Sequence, residues 1–193
     1  MPKIFNEENK KAIQKELIEC GFALLKQGGL HAVNIDVLTK NCFIAKGTFY
    51  NLFENKSDYL YHMMLFERAR SKEMLHLYLN ENGQLSTNNL KHYLFWLFDE
   101  NPNIFSYLTK EEQTRLISTW PDKYLTNMNN DKETMHMLHA LLECPRKNPS
   151  WELACNYMKL IAGSLTIKDI FISSHYEIMI WDIIDKITDL LCK

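Results

Sequence analysis

Hydrophobic residues recur along this chain at intervals of three and four positions, and few stretches alternate apolar with polar residues. Near the N-terminus Ile13, Leu17, Cys20 and Leu24 form such a stripe, as expected for one face of an amphipathic helix. The pattern therefore predicts an all-α protein with about nine helices. We place them at about 6–27, 35–41, 45–53, 56–80, 86–100, 103–119, 122–143, 150–172 and 175–192.

Glycine, asparagine and proline residues mark the predicted helix ends. Gly28-Gly29 ends the first helix, because glycine readily adopts the left-handed conformation found after helices. Asn34 is a good N-cap for the second helix, and Asn55 for the helix that starts at Lys56. The later breaks are prolines, which disfavour helix at the preceding residue: Pro102, Pro121, Pro145 and Pro149.

Composition limits the class of protein. Of 193 residues 46% are hydrophobic, enough for a packed core in one large domain or two small ones. No apolar run approaches the roughly 18 residues of a membrane-spanning helix, and residues 1–8 lack an apolar signal region. The five cysteines are scattered and contain no Cys-x-x-Cys pair. We therefore expect no membrane association, no disulfide framework and a cytoplasmic protein.

Charge is distributed unevenly. Residues 1–72 contain 11 Lys or Arg and 8 Asp or Glu, a net +3, whereas the remainder has a net −5. A basic front part is typical of a segment that meets a polyanion, although +3 is a modest value. The alternative interpretation is ordinary variation among solvated helix faces.

The predicted third helix has two different faces. Phe49, Leu52 and Phe53 lie at positions i, i+3 and i+4, so they share an inward face. The outer face then carries side chains suited to a DNA groove: a lysine for phosphate, hydroxyls, an amide, and a glycine where backbone must approach closely. The alternative is an ordinary amphipathic helix with a solvated polar face. These outer residues are Lys46, Gly47, Thr48, Tyr50 and Asn51.

The stretch 46–60, Lys-Gly-Thr-Phe-Tyr-Asn-Leu-Phe-Glu-Asn-Lys-Ser-Asp-Tyr-Leu, resembles the DNA-binding domain of TetR-type transcriptional regulators. It matches that family's pattern of Lys-Gly-Thr, an aromatic residue or Leu, Tyr, two variable positions, Phe, and then Lys and Leu. Upstream, Gly29 falls at the glycine after the first helix, and Asn34 falls at the residue that caps the second. The likeness covers about a third of the chain.

The resemblance implies roles for individual residues. Lys46 and Tyr50 fall at phosphate-contacting positions, and Lys56 at a helix start that favours a phosphate. Gly47 and Thr48 fall at the groove-facing start of the recognition helix. Asn34, which caps the second helix, is also a candidate DNA-binding residue. Asn51 is our candidate for base readout, because an Asn amide pairs well with an adenine edge.

The chain also departs from the family pattern. Where Ala-Gly-Val-Ser is usual between the second and third helices, this chain has Cys-Phe-Ile-Ala at 42–45. Phe43 replaces the turn glycine although phenylalanine disfavours positive φ, so we expect a different turn or a partly exposed ring. Ala45 lacks the capping hydroxyl, and Thr39 stands where a packing alanine is usual.

The two last predicted helices indicate self-association. On helix 150–172 one apolar stripe contains Trp151, Ala154 and Ile161, and a second contains Leu153 and Leu160 on the other side. One small domain rarely buries both sides, so helices 150–172 and 175–192 are expected to form a homodimer interface. The resemblance implies the same. Two recognition helices about 34–36 Å apart would then read a roughly palindromic operator.

Aromatic and Met residues crowd the middle helices; we expect most of them to fill the core, and some could line an apolar ligand pocket. The resemblance implies a cavity for an effector that alters the spacing of the recognition helices, but no ligand-binding residue carries over. His136 and His139 share a helix face near Cys144, yet further ligands are missing, so we expect no metal site. We expect no cofactor.

The sequence thus predicts a helix-turn-helix DNA-binding domain at 1–55 and an effector-binding and dimerisation domain at 56–193, connected by helix 56–80. The expected function is a dimeric sequence-specific transcriptional regulator, a repressor released by a small-molecule effector, and not an enzyme. Two alternatives stay open: a helical small-molecule-binding protein without operator binding, and an all-helical enzyme that uses the aromatic cavity.

Overall fold

The computed structural model describes residues 7–99, 103–128 and 131–192. Within these ranges it contains ten α-helices and no β-strand, so the all-α prediction is confirmed. Short 3₁₀ helices add His76–Tyr78, Ile104–Tyr107 and Lys168–Ile170. The α-helices are α1 (Glu7–Ala32), α2 (Ile35–Asn41), α3 (Lys46–Leu52), α4 (Lys56–Leu75), α5 (Thr87–Asp99), α6 (Lys110–Thr119), α7 (Asp122–Met128), α8 (Asp131–Leu141), α9 (Trp151–Leu165) and α10 (Ser173–Leu191).

The first helix is interrupted at the glycine pair, where the sequence predicts its end, and a short helical segment continues to Ala32. The backbone leaves helical geometry at Gly28 and at Gly29, whose φ is 62°. This left-handed conformation is easily reached by glycine and brings the chain round to α2. The predicted range of α2 is confirmed residue for residue, and the Asn34 side chain caps it by accepting a hydrogen bond from the Asp36 N–H at 2.8 Å.

Four predicted helices are shorter or divided in the structure. The predicted helix 56–80 ends at Leu75 and is followed by the 3₁₀ turn His76–Tyr78. Instead of one helix over 103–119, a 3₁₀ turn is followed by α6, which starts at a capping box formed by Thr109 and Glu112. The predicted helix 122–143 is divided into α7 and α8, with residues 129–130 outside the described ranges. The predicted helix 150–172 ends at Leu165, where the chain tightens to i→i+3 hydrogen bonds.

The chain forms two compact units. The first contains the residues up to Glu67 together with Tyr107–Trp120, and the second contains Arg68–Ser106 and the residues from Pro121 onward. The division into functional domains at 55/56 stays a prediction. In the structure, α4 begins in the first unit and ends in the second.

The first unit surrounds an aromatic core contributed by α3 and α4. The Phe49 and Phe53 rings lie 5.2 Å apart, and Tyr59 lies 5.5 Å from Phe49 and 5.0 Å from Phe53. The Tyr59 hydroxyl donates to the Leu17 carbonyl at 2.6 Å, which ties α4 to α1. Gly21 makes room for this contact, since a Cβ there would lie 2.0 Å from the Tyr59 oxygen. The core therefore fixes α3 against its neighbours.

The second unit buries the inner faces of α5, α9 and α10. Ile161 on α9 and Ile184 and Ile187 on α10 are fully buried, so the first apolar stripe predicted on α9 belongs to the core. The second stripe is different, because Leu153 and Leu160 are 43% and 55% exposed. The predicted two-sided character of this helix is confirmed.

Candidate nucleic-acid interface

The α3 helix separates its two faces as the sequence predicts. Phe49 is fully buried, and Phe53, the first residue after the helix, is 1% exposed. On the opposite side Lys46, Gly47, Tyr50 and Asn51 are exposed, and Thr48 is half-buried. Near Gly47 no atom would lie within 4 Å of an added Cβ, so the surface in front of this residue is open. The structure therefore brings five of the predicted site residues onto one accessible surface.

The turn before α3 keeps a left-handed residue despite the missing glycine. Phe43 has a φ of 52°, which costs a non-glycine residue about 1–2 kcal/mol. Two backbone bonds hold the turn, from the Phe43 N–H to the Lys40 carbonyl at 3.2 Å and from the Ile44 N–H to the Thr39 carbonyl at 2.9 Å. The Phe43 ring is 94% exposed, so the sequence-based expectation of exposure is confirmed.

The two other departures from the family pattern have simple structural outcomes. Ala45 occupies the N-cap of α3 and makes no side-chain cap, as its missing hydroxyl predicts. Thr39 is buried, and its hydroxyl donates to the Ile35 carbonyl at 2.9 Å, one turn earlier on α2. The extra hydroxyl is thereby satisfied inside the helix rather than left without a partner.

Lys46 is paired with an aspartate that the sequence reasoning missed. Its ammonium forms an ion pair with Asp36 on α2, and both side chains are more than 60% exposed. The hydrogen bond from the Lys46 ammonium to Asp36 is the main cause that raises the pKa of Lys46, and the negative charge of Asp36 raises it further. The amine stays protonated, and water screens the exposed pair, so a phosphate can compete for the lysine. The sequence offered only one hint, an acidic residue in the first turn of the neighbouring helix.

Lys56 lies differently from Lys46. Its ammonium donates to the Leu30 carbonyl at 3.0 Å, and the side chain is half-buried. Burial lowers the pKa of Lys56, and the charge of Glu112 acts in the opposite direction. This lysine thus satisfies a carbonyl near the end of α1 in the structure.

Asn34 is exposed, and its side-chain oxygen is engaged in capping α2.

Cys20 on α1 and Cys42, the residue after α2, have neighbouring thiols. The Cys42 thiol is 4.0 Å from the Glu16 carbonyl on α1, and the Asn41 amide nitrogen is 3.8 Å from the Cys20 sulfur. Burial raises the pKa of the Cys42 thiol to about 12, with smaller contributions from Cys20 and Glu16. The sequence showed these cysteines only as scattered residues, because their proximity depends on the packing of α2 against α1.

We expect Cys42 to resist alkylation in the folded protein. At pH 8 a thiol with a pKa of about 12 is almost entirely protonated, and the thiolate is the reactive form. Iodoacetamide at pH 8, followed by peptide mass spectrometry, should label the exposed Cys144 and leave Cys42 unlabelled. In urea both should react alike. Equal labelling of the two in the folded protein would contradict this assignment.

The architecture is shared with known structures. A TetR-family transcriptional regulator from Agrobacterium tumefaciens aligns with 95% of this chain and 100% of its own, with a TM-score of 0.64 at 12% identity. A TetR-family regulator from Haemophilus influenzae aligns with 97% of this chain and 100% of its own, with a TM-score of 0.57 at 14% identity. One from Marinobacter aquaeolei gives 0.53 at 14% identity, over 97% of this chain and 100% of its own.

The chain has the TetR-family fold. No protein-family model and no curated protein matches the sequence. The three aligned proteins are transcriptional regulators. At 12–14% identity these alignments show the fold alone. That fold agrees with the TetR-type resemblance of residues 46–60.

The second unit of this TetR-type fold contains a cleft formed by α5, α9 and α10. Tyr176 lines this cleft, its hydroxyl shares a buried 2.8 Å hydrogen bond with Ser164, and the Lys168 ammonium lies 4.9 Å from its ring centre. The cleft thus mixes aromatic walls with a few polar groups, as small-molecule sites do. Its lining residues are Phe95, Phe98, Leu165, Lys168, Ser173, Tyr176, Glu177 and Ile180.

The described residues also lack what a three-ligand metal site and a membrane span require. Among them no group of three His, Cys, Asp or Glu side chains could hold a metal ion. His136 and His139 instead lie against Trp151, with ring centres 4.1 Å and 4.9 Å away. Across the same described ranges, no helix of this TetR-type fold is long and apolar enough to span a membrane.

Proposed function

We propose that this protein is a dimeric, sequence-specific DNA-binding transcriptional regulator, a repressor that a small-molecule effector releases from its operator. The observation that carries the proposal is the division of α3 into a buried aromatic face and an exposed polar one. Phe49 holds the helix in place, and the opposite residues are free to enter a major groove. Fold likeness supports this use of the first unit.

Within this proposal each exposed residue has a distinct role. Lys46 and Tyr50 bind phosphates, because an ammonium and a phenol donate well to phosphate oxygens. Gly47 allows the start of α3 to approach the groove closely, and Thr48 extends that contact. Asn51 reads a base edge. Asn34 positions α2 by capping it. Lys56 reaches a phosphate only after leaving the Leu30 carbonyl.

The dimer interface is assigned to α9 together with α10. Leu153 and Leu160 lie seven positions apart on α9 and are both exposed, and Ile167, two residues beyond the end of the helix, is exposed as well. Gly163 lies between the last two, and no atom would lie within 4 Å of a Cβ added there. A stripe of large apolar residues with an open glycine suits close packing of a second copy. From α10, Ile178 is 56% exposed.

The effector site is assigned to the cleft between α5, α9 and α10, which combines aromatic and aliphatic side chains with the polar Lys168, Ser173 and Glu177. Because α9 and α10 also form the proposed dimer interface, a ligand in this cleft would change the arrangement of the two subunits. Such a change alters the separation of the two recognition helices, which must be about 34–36 Å to fit successive turns of DNA.

One observation favours a second candidate, a small-molecule-binding protein without operator binding. Lys46 and Lys56 are both engaged inside the first unit, with Asp36 and with the Leu30 carbonyl. Their availability to phosphate is thereby reduced. Selection of bound fragments from a random pool of duplex DNA separates the two candidates. Enrichment of two inverted half-sites supports the regulator, and no enrichment at low salt supports the alternative.

Replacing Lys46 with alanine is expected to weaken binding to every duplex about three- to tenfold at 0.1 M salt, because one phosphate contact per subunit is lost. The slope of log affinity against log salt should become shallower by about 1 per subunit. Gel-shift titrations at several salt concentrations measure both effects.

Two variants complete this test. Asp36→Asn removes the carboxylate that competes with phosphate for Lys46, so affinity for all duplexes should rise. Asn51→Ala should instead change the preferred sequence and leave the salt slope as it is. If Lys46→Ala loses affinity with an unchanged slope, the lysine does not bind phosphate.

A further inference from the structure

Phe43 is strained and exposed at once. Its φ of 52° lies in the left-handed region that disfavours residues with a Cβ. Its ring is 94% exposed, so burial in the first unit does not offset this strain. Positions that break a local rule without a visible gain in the fold are frequently functional ones. A contact with a partner outside the chain would account for an exposed ring at this position.

The turn holds this ring in a defined place. Cys42 on one side is buried, and the hydrogen bonds from the Phe43 and Ile44 N–H groups fix the backbone. The residue lies only three positions before Lys46, the first residue of α3. The ring is thus presented beside the start of the proposed recognition helix, without depending on a flexible loop.

The surroundings of the ring favour DNA over protein as its partner. Lys40 and Lys46, three positions to either side, are both exposed. In the described part of the first unit the exposed large hydrophobic residues are Val37, Phe43 and Tyr50, all close to α3 in the sequence. A stable protein interface needs a broad surface of about 800 Å² per partner, far more than one isolated ring supplies. An exposed ring that is flanked in the sequence by two exposed lysines suits the sugar and thymine methyl groups at a groove edge.

We propose that Phe43 is a DNA-contacting residue that packs against a thymine methyl group beside the α3 contact and so sets a preference for thymine at one position of each half-site. This inference rests on the proposed function, since it needs the first unit to bind duplex DNA. The glycine usual at this position in the resembling family cannot make the contact, so the preference would be a property of this chain.

The test uses the full-length protein and duplexes selected by the wild type from a random pool. Each thymine is replaced in turn by deoxyuridine, which lacks only the methyl group. We expect one position in each half-site where this replacement weakens wild-type binding severalfold. Phe43→Gly should bind the unmodified duplex at least about fivefold more weakly and be insensitive to deoxyuridine at that position.

Stability measurements distinguish a contact from a purely structural role. Glycine relieves the strained backbone, so the Phe43→Gly protein should melt about 2–4 °C higher while it binds more weakly. Phe43→Asn tolerates the same backbone conformation without the added freedom of glycine, and it should show the same loss of binding. Leu77→Ala, at a residue that is 76% exposed in the second unit, should leave affinity and the deoxyuridine pattern unchanged.

Three results would overturn the proposal, and they differ from each other. If the wild type selects no duplex at low salt, the proposed function itself fails and the inference fails with it. If the wild type binds DNA and Phe43→Gly binds equally well with the same deoxyuridine pattern, only the role of Phe43 is wrong. If Phe43→Gly changes the sedimentation coefficient in the absence of DNA, the ring is covered by another copy of the chain.

Discussion

Replacing Leu160 with glutamate is expected to convert the proposed dimer into monomers and to lower affinity for the proposed operator by about two orders of magnitude. Leu160 is 55% exposed in the chain and lies on the same face of α9 as the exposed Leu153. In a dimer two carboxylates would be buried against apolar side chains, and an unpaired buried charge costs several kcal/mol. Each monomer would then hold only one half-site. Sedimentation velocity and gel-shift titration measure these effects.

The matched control is Leu77→Glu, the same substitution at a residue of the second unit that is 76% exposed and lies outside the stripe. It should leave the mass in solution and the DNA affinity unchanged. Circular dichroism of Leu160→Glu should show the wild-type helix content, because the mutated side chain lies on the surface of the chain. A Leu160→Glu protein that remains dimeric would refute the assignment of this face.

Replacing Phe49 with alanine is expected to destabilise the first unit by about 3–5 kcal/mol and to abolish DNA binding. Phe49 is fully buried, and its ring contacts those of Phe53 and Tyr59. The cavity left by the ring removes the support of α3, although every exposed residue of that helix is still present. Urea unfolding monitored by circular dichroism measures the stability, and gel shifts measure binding.

Tyr50→Phe provides the comparison on the opposite face of the same helix. Tyr50 is 53% exposed, so loss of its hydroxyl should change the free energy of unfolding by less than about 0.5 kcal/mol. Its DNA affinity should fall modestly, because one phosphate contact is lost. If Phe49→Ala unfolds at the same urea concentration as the wild type, the aromatic cluster does not stabilise the unit.

The front of the fold was predictable because its signals are local. The Asn34 cap and the hydrophobic spacing fixed α2 to the residue, since a side chain two positions away satisfies the first free N–H. The two faces of α3 followed from positions 49, 52 and 53. At Phe43 the sequence indicated a conflict and the structure shows its result, a strained backbone with an exposed ring.

The later helix boundaries were less predictable for identifiable reasons. The start of α6 had a readable signal, the Thr109 and Glu112 capping box, which the hydrophobic period obscured. The end of α9 at Leu165 has no glycine or proline after it, and Gly163 lies inside the last turn rather than beyond it, so the usual stop signal is missing. Boundaries of this kind depend on packing within the second unit.

The contacts around the candidate site were beyond sequence reasoning. The Lys46–Asp36 pair joins α3 to α2, and the bond from Lys56 to Leu30 spans 26 positions. Both depend on the angles between helices, which periodicity does not give. The spacing of residues 46–60 predicted which side chains lie on the surface of α3, and only coordinates show which of them are already engaged.

The segment Tyr107–Trp120 belongs to the first unit although it is far along the chain. Its last residues are tied to the beginning of α4, since the Trp120 indole donates to the Ser57 carbonyl at 3.0 Å and the Thr119 and Ser57 hydroxyls lie 2.6 Å apart. The polypeptide therefore crosses between the units three times, after Glu67, Ser106 and Trp120. A nascent chain therefore cannot complete the first unit until Trp120 has left the ribosome. Transplanting the first unit into another protein requires three junctions rather than one.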